Sequence, residues 1–328
     1  MSTDAPLRPT VDDLEELRIR LTAYCYRMLG NVADTDDAVQ EMILRAYRSL
    51  ESYDPQRATL STWVHRIATN ICLDLLRGAR RRSRATDLGP ARTGTTSADL
   101  GAPLSADHFV EPIPDSRVIS ATDPAEIVEQ RLSVRYAFIA ALQRLAPRQR
   151  AVLLLREVLS FSAEESAHII GTTVPAVNSA LQRARARLAK SPPETTEVFD
   201  PTDARQRQLL DDYVSAFEAH DMVALRRLLR EDARSSMPPF AWCLEGRETI
   251  LTVMGAADAC DGDRLIPVPI NGSPGFGQYR VGSDGVPRAF ALLLVEVREN
   301  TVSHLVTFLG SQGRFREFGL PESVDPTA

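Results

Sequence analysis

The sequence predicts a multidomain chain, two all-α blocks followed by one α+β domain, and three observations carry that reading. Apolar residues recur at helical spacing from Val11 to about Arg84 and again from Ala125 to Lys190. Between these blocks, residues 85–124 lose that period and fill with Gly, Pro, Ser, Thr and Asp, the composition of a flexible linker. Beyond Ser191-Pro192-Pro193, two helical stretches give way to four strand-like runs, the order of an α+β domain with a curled antiparallel sheet. The domains are therefore set at 10–84, 125–190 and 200–321, with 85–124 as linker. A chain of 328 residues is long enough for each to bury its own core.

The first block contains three helical stripes. Leu14, Leu17, Leu21, Tyr24, Cys25 and Met28 form one, and Val39, Ile43, Ala46 and Tyr47 form the next. Tyr53-Asp54-Pro55 breaks the pattern, and a third helix starts near Ser61 with Trp63, Ile67, Ile71 and Leu75 in register. The second helix carries Asp34, Asp36, Asp37, Gln40 and Glu41 opposite its apolar stripe. Acidic residues early in a helix are favourable in themselves, so a solvated face is one reading and a docking surface for a basic partner is the other. The third helix opens on Trp63 and runs into Arg77, Arg80, Arg81, Arg82 and Arg84. An aromatic beside basic residues suits opened DNA, where bases stack and phosphates are neutralised; Trp63 fits a core position equally well.

The run from Leu145 to Leu188 is the most informative. Ser162 and Glu165 make a capping box, and Gly171 stands where a helix must stop. Thr172 and Thr173 follow, and Pro175 is tolerated in the first turn of the next helix. There Val177, Leu181, Ala184 and Leu188 share one face and leave Asn178, Ser179, Gln182, Arg183 and Arg185 on the other. Two short helices about such a turn form a helix-turn-helix, which places its second helix in the major groove. A plain helical hairpin with a solvated basic face is the alternative. Against it, no acidic residue separates Arg183, Arg185, Arg187 and Lys190.

In the last block, helices are expected at Arg205 to His220 and Met222 to Arg230. Strands are expected at Leu265 to Ile270, Gln278 to Val281, Ala289 to Arg298 and Thr301 to Leu309, with Glu299-Asn300 as a hairpin turn. The net charge of −6 excludes little, because the basic residues are clustered and local patches decide binding. Cys25, Cys72, Cys243 and Cys260 lie far apart without a C-x-x-C pair, which favours neither a zinc site nor a disulfide framework, and no metal or cofactor is expected. With no apolar run of membrane length and no signal-peptide core, the chain reads as cytoplasmic with no membrane partner.

Three segments in order resemble the sigma-70 family of bacterial initiation factors, in its extracytoplasmic-function group. DTDDAVQEMILRAY resembles the part of domain 2 that grips core RNA polymerase, and STWVHRIATNICLDLLRGARRR the part that melts and reads the minus-ten element. The Leu145 to Leu188 run resembles domain 4, which reads the minus-thirty-five element. MPPFAWCLEGRETI, RLIPVPINGSPGFGQYR and the last strand pair resemble a SnoaL-like domain, a cone-shaped α+β barrel with a pocket. Such a domain is appended to some members of the group, including mycobacterial factors of the G and J types. Departures occur at Asn178, Ala180 and Gln182, where the group often has a basic residue, arginine and histidine, and at Ser166, usually a branched apolar residue.

The resemblance implies core polymerase and promoter DNA as partners. It places Asp36, Asp37, Gln40 and Glu41 on polymerase, and a flipped base in the loop from Ser52 to Ser61. Trp63, Asn70, Asp74, Arg77, Arg80, Arg81 and Arg82 would hold the minus-ten element. Thr173, Pro175, Asn178, Ser179, Gln182, Arg183 and Arg187 would hold the minus-thirty-five duplex. Trp242, Tyr279 and His304 are candidates to line a pocket for a small molecule, with Asp232 a further candidate in the isomerase relatives of the barrel. No acid–base pair stands out at a usable spacing, so no enzyme activity is expected and the fused domain reads as regulatory. Two other readings are a polymerase-independent helix-turn-helix regulator with a ligand-binding C-terminal domain, and an enzyme with a DNA-binding appendage. The acidic helix at Asp34 to Glu41 speaks against the first, since a simple repressor does not need it.

Overall fold

A computed structural model describes residues 10–78, 101–104, 109–120, 123–190, 197–256 and 260–325. The chain divides into two compact units. One holds the described residues within Met1–Arg84, Ser116–Ile127 and Ala137–Pro193; the other holds those within Ala85–Asp115, Val128–Tyr136 and Glu194–Ala328.

The first unit is all-α. A Thr10–Asp13 capping box opens α1 (Val11–Glu16), and α2 (Arg18–Leu29) ends at Gly30, whose φ of 67° closes the helix in the left-handed conformation. Asn31 caps α3 (Val32–Ser49) by accepting from the Asp34 amide, and α4 (Leu60–Gly78) follows the Tyr53 loop. α5 (Pro124–Val134), assigned to the second unit from Val128 onward, and α6 (Tyr136–Gln143) precede α7 (Pro147–Leu153), which has Pro147 in its first turn. A π-helical turn at Leu154–Val158 ends it, with the Leu159 amide reaching back to the Leu154 carbonyl at 2.9 Å. The helix-turn-helix follows as α8 (Ala163–Ile170) and α9 (Val174–Ala189). The Ser162–Glu165 capping box is formed, Gly171 is left-handed at φ 71°, and Thr173 caps α9.

Two buried polar groups join the parts of this unit. The Arg150 guanidinium on α7 donates to the carbonyls of Leu142 (2.9 Å), Gln143 (3.1 Å), Leu145 (3.3 Å) and Met28, and to Gln143 Oε1 (2.6 Å). It thereby satisfies a carbonyl at the C-terminal end of α2 that would otherwise be buried unpaired. On α4, the His65 ring lies edge-on between Tyr24 of α2 (5.3 Å) and Phe161 ahead of α8 (5.1 Å), and its Nδ1 donates to the Ser61 carbonyl at 2.8 Å. Burial pushes this imidazole down to about 4, with the charges of Arg27 and Arg20 adding to the effect. Ser166 on α8 is fully buried with its hydroxyl unpaired, a polar cost at a position where the family resemblance calls for an apolar side chain.

The second unit contains α10 (Ala204–Glu218), α11 (Met222–Leu228), β1 (Leu229–Ser236), β2 (Cys243–Glu245), α12 (Arg247–Met254), β3 (Arg264–Pro267), β4 (Gly275–Val281), β5 (Pro287–Arg298) and β6 (Thr301–Leu309). The strands form one sheet in the order β2-β1-β6-β5-β4-β3. Leu209, Tyr213 and Phe217 of α10 and Ile250 and Val253 of α12 pack with Leu293, Val295, Val302 and Leu305 of the sheet in an apolar core. Glu299 and Asn300 take φ values of 53° and 54°, a type I′ turn that brings Arg298 opposite Thr301. The sheet departs from expectation in two ways. It is open, with β2 and β3 as edges, and is not closed into a barrel; and β1 runs parallel to β6, so it is mixed where an antiparallel one was expected. The parallel pair comes from β1, which with β2 is absent from the sequence reading. The residues LREDARSS carry too many charges to resemble a strand and adjoin α11 directly.

Part of the expected flexible linker is built into this unit. Val110 and Ile113 are fully buried, worth about 1.5–3 kcal/mol for each side chain. Asn271 exchanges backbone hydrogen bonds with Ile113 through its N–H (3.0 Å) and its side-chain Oδ1 (3.0 Å), and its Nδ2 donates to the Val134 carbonyl at 3.1 Å. Beside it, Gly272 has φ 68° and donates to Asp115 at 2.7 Å; a Cβ there would meet the Arg131 carbonyl oxygen at 2.6 Å. Burial raises the Asp115 carboxyl to about 6.

Candidate nucleic-acid interface

The acidic face of α3 forms because Val32, Thr35, Ala38, Val39, Met42 and Ala46 turn inward. Asp36, Asp37 and Gln40 are exposed and Glu41 is half-buried. Glu41 accepts from Arg45 at 2.6 Å and Asp36 is paired with Arg117. Asp37 and Gln40 have no side-chain partner among the described residues. The same face continues into Leu44 and Tyr47, 42% and 61% exposed. Tyr47 was expected in the apolar stripe; Met42 takes that inward role instead, and a large aromatic is left in solvent beside the carboxylates.

On α4, Trp63, Arg66, Asn70, Asp74 and Arg77 recur at helical spacing along one stripe. Trp63 is half-buried and its ring lies 5.3 Å from that of Tyr53, tilted by 51°. Tyr53 in turn donates from its hydroxyl to the Ala58 carbonyl at 3.0 Å, so the pair anchors the loop before α4. Asn70, Asp74 and Arg77 are exposed, and Arg77 pairs with Asp74 at 2.5 Å. Arg80, Arg81 and Arg82 lie outside the described residues.

The outer face of α9 presents Pro175, Asn178, Ser179, Gln182 and Arg183, all exposed, while Val177, Ala180, Leu181 and Ala184 are buried. Thr173 is exposed but its hydroxyl is taken by the Ala176 amide. The arginines differ from one another. Arg185 Nε donates to Glu157 at 2.5 Å and Arg187 Nε donates to the Arg144 carbonyl at 2.8 Å. Arg187, expected on DNA, thus spends one donor on the protein itself.

In the second unit, Trp242, Tyr279 and His304 each have different neighbours. Trp242 is in the helix-facing core, and Tyr279 packs on Phe315 with its hydroxyl donating to the Pro321 carbonyl at 2.9 Å. His304 shares a hydrogen bond with Ser236 Oγ at 3.0 Å, and its Nδ1 is 3.9 Å from Glu296. Asp232 is exposed and paired with Arg230 at 2.7 Å. Sequence reasoning missed the Glu296–His304 pairing: a two-residue turn alone would set Glu296 opposite Ser303, and the irregularity beside Val297 moves it to His304. Burial pushes His304 down to about 4, helped by the Arg234 charge. A groove of about 440 Å³ lies elsewhere on this unit, lined by Arg205, Gln208, Leu209, Asp212, Arg227 and Asn300.

Among the described residues, no helix is long and apolar enough to cross a membrane and no group of His, Cys, Asp and Glu is arranged to hold a metal. None of the four cysteines is in a disulfide.

Family comparisons match two helical segments of the chain. Residues 14–82 match the model for Sigma-70 region 2, and residues 135–188 match Sigma-70, region 4. The ECF RNA polymerase sigma factor SigG of Mycobacterium tuberculosis is 42% identical over 318 residues, which is 94% of this chain and 83% of that protein. The sigma factor SigW of Bacillus subtilis is 28% identical over 55% of this chain and 86% of its own length. Among solved structures, that of SigJ from Mycobacterium tuberculosis superposes with a TM-score of 0.60 at 23% identity, covering 95% of this chain and all of that one.

Proposed function

Because the chain belongs to the ECF RNA polymerase sigma factor family, we propose that α3 is its grip on core polymerase and that α4 and α9 are its two grips on promoter DNA. The domain assignment behind this is 10–84 for the polymerase and minus-ten part, 125–190 for the minus-thirty-five part and 200–321 for a SnoaL-like regulatory part. The observation that carries the polymerase grip is the solvent face of α3. Asp37 and Gln40 stand there without partners among the described residues, next to exposed Leu44 and Tyr47. Charge at the rim and an exposed aromatic at the centre are what a protein-docking patch needs.

On α4, Asn70, Asp74, Arg77 and the arginines at 80–82 engage the minus-ten strand, and the loop braced by Tyr53 and Trp63 receives a flipped base. Pro175, Asn178, Ser179, Gln182 and Arg183 face the minus-thirty-five major groove. The protein is an initiation factor; the polymerase makes the phosphodiester bonds. This places its action in the cytoplasm, where the polymerase works.

The C-terminal domain modulates that activity through the chain joining the two DNA-binding parts. Support comes from Asn271, whose hydrogen bonds hold Ile113 and Val134 together. A small molecule in this domain is a further element of the proposal, and the groove at Arg205 and Arg227 is the place for it.

Run-off transcription with purified core polymerase tests the main reading: the full chain directs initiation from a defined start, and no start above that of core alone would refute it. For the regulatory part, Asn271→Ala should change transcript yield by several-fold while core affinity of α3 persists. Equal yield from both proteins sinks that part only.

A further inference from the structure

Arginine side chains in the second unit are nearly all neutralised by a carboxylate. From Arg205 to Arg316, every described arginine lies within ion-pair distance of an Asp or Glu except Arg205, Arg207 and Arg227. Those three make no side-chain hydrogen bond or ion pair to any described residue. Two of them, Arg205 and Arg227, line the same groove of about 440 Å³. Like charges facing one groove are unfavourable until an anion joins them. The rest of the lining indicates which anion. Arg205, Gln208, Leu209 and Asp212 recur at i, i+3, i+4 and i+7 along one side of α10. Arg227 and Leu228, the last two residues of α11, supply a second wall. Leu209 is 5% exposed and belongs to the apolar core, and Leu228 is half-buried, so the floor is aliphatic. Asp212 accepts from Gln208 at 2.8 Å, which holds its carboxylate along the helix. Two guanidiniums and one carboxylate leave the groove with one positive charge in excess, which a monoanion neutralises and a dianion would reverse.

We propose that this groove binds an amphipathic monocarboxylate, its carboxylate held between Arg205 and Arg227 and its apolar body laid along Leu209 and Leu228. The proposal rests on the small-molecule reading above and names the chemical class that site takes. A carboxylate suits the planar fork of a guanidinium, which donates two parallel hydrogen bonds to it. The Asn300 carboxamide, also lining the groove and without a partner among the described residues, adds one more donor at the rim. The volume lies within the range of about 300–1,000 Å³ usual for small-molecule sites. A DNA backbone suits the groove less: a repeating polyanion brings more charge than the groove neutralises, meets Asp212, and has nothing to lay on two leucines.

The test titrates the full chain by calorimetry, in low salt, with octanoate, octyl phosphate, 1-octanol and a random-sequence duplex as separate arms. Octanoate should bind at one site, about tenfold or more tighter than 1-octanol, which has the same body without the charge, and tighter than octyl phosphate. Arg205→Gln and Arg227→Gln change exposed side chains without partners, so both should melt as the wild type does. Each should weaken octanoate by about tenfold. Arg207→Gln removes the unpaired arginine outside the groove and should bind octanoate as the wild type does. Octanoate binding that ignores the Arg205 and Arg227 variants, or that Arg207→Gln weakens equally, overturns the proposal. If octyl phosphate or 1-octanol binds tighter than octanoate and still depends on Arg205 and Arg227, the monocarboxylate falls while a small-molecule groove stands. If none of the three amphiphiles binds, both fall. Weaker duplex binding by the Arg205 and Arg227 variants in that case makes the groove a DNA contact.

Discussion

Helices α3 and α9 each bury one apolar stripe in the same helical unit, yet they present opposite chemistry to solvent. The face of α3 is acidic and continues into exposed Leu44 and Tyr47. The face of α9 has no exposed large apolar side chain, and its centre is made of amides and a hydroxyl. An exposed apolar patch ringed by charge is complementary to another protein, because burying the apolar part drives association and the charge sets partner and register. A face of amides is complementary to base edges, which are hydrogen-bonding groups in a fixed pattern. On the proposed assignment both surfaces belong to one chain because a promoter-specificity subunit has to hold a protein and a duplex together.

The largest effect expected from breaking this contrast is at α3. Asp37→Arg with Glu41→Arg should lower core polymerase affinity by about 100-fold or more, since it puts like charges against a basic surface. Binding of the same variant to a minus-thirty-five duplex should be unchanged by fluorescence anisotropy. A loss in both assays would mean that the two faces are not separable.

Acid tests both folded units, His65 lying in the one that carries α3 and α9 and His304 in the other. His65 and His304 are neutral when folded, with values held near 4 against an ordinary 6.5. The folded state then binds fewer protons than the unfolded state between pH 6.5 and 4, so stability is intact above pH 6.5 and is lost as pH falls through that window. Each histidine contributes up to about 3 kcal/mol. Asp115, raised to about 6, acts the other way, because its folded form holds the proton and the cost of ionising it grows as pH rises towards 6. Melting temperature should drop on acidification from pH 6.5, and His65→Phe should flatten that drop.

Smaller effects sharpen the comparison. Tyr47→Ala removes the exposed aromatic and should weaken polymerase binding by about tenfold, the scale of a truncated interface anchor, with DNA binding intact. Smallest is Glu157→Ala, which releases Arg185. It removes an exposed pair worth about 0–1 kcal/mol, so stability barely moves, while non-specific duplex affinity should rise a few-fold in low salt.

How far these surfaces were legible depended on whether a local rule governed them. The Ser162–Glu165 box, the left-handed Gly171 and the Glu299-Asn300 turn follow from backbone sterics and neighbouring side chains, and each formed as read. Tyr47 did not follow its stripe, because Met42 and Ala46 already fill the inward side of α3. Strand β1 was invisible: its partner β6 lies far along the chain, and its charged residues, which stay exposed or half-buried, hide the few buried positions from local patterning. The part of the linker built into the second unit had only Val110 and Ile113 as signals in a polar stretch. The split among the α9 arginines needed the positions of Glu157 and Arg144, which no helix period supplies.

In the proposed assignment α3 joins this chain to core polymerase while α9 holds duplex DNA. Its most direct measurement is run-off transcription by core polymerase on a selected promoter, comparing the wild type with Asp37→Arg, Glu41→Arg. A defined transcript is expected from the wild type, and none above background from the variant although it still binds the duplex. A transcript of equal yield from the variant would contradict it.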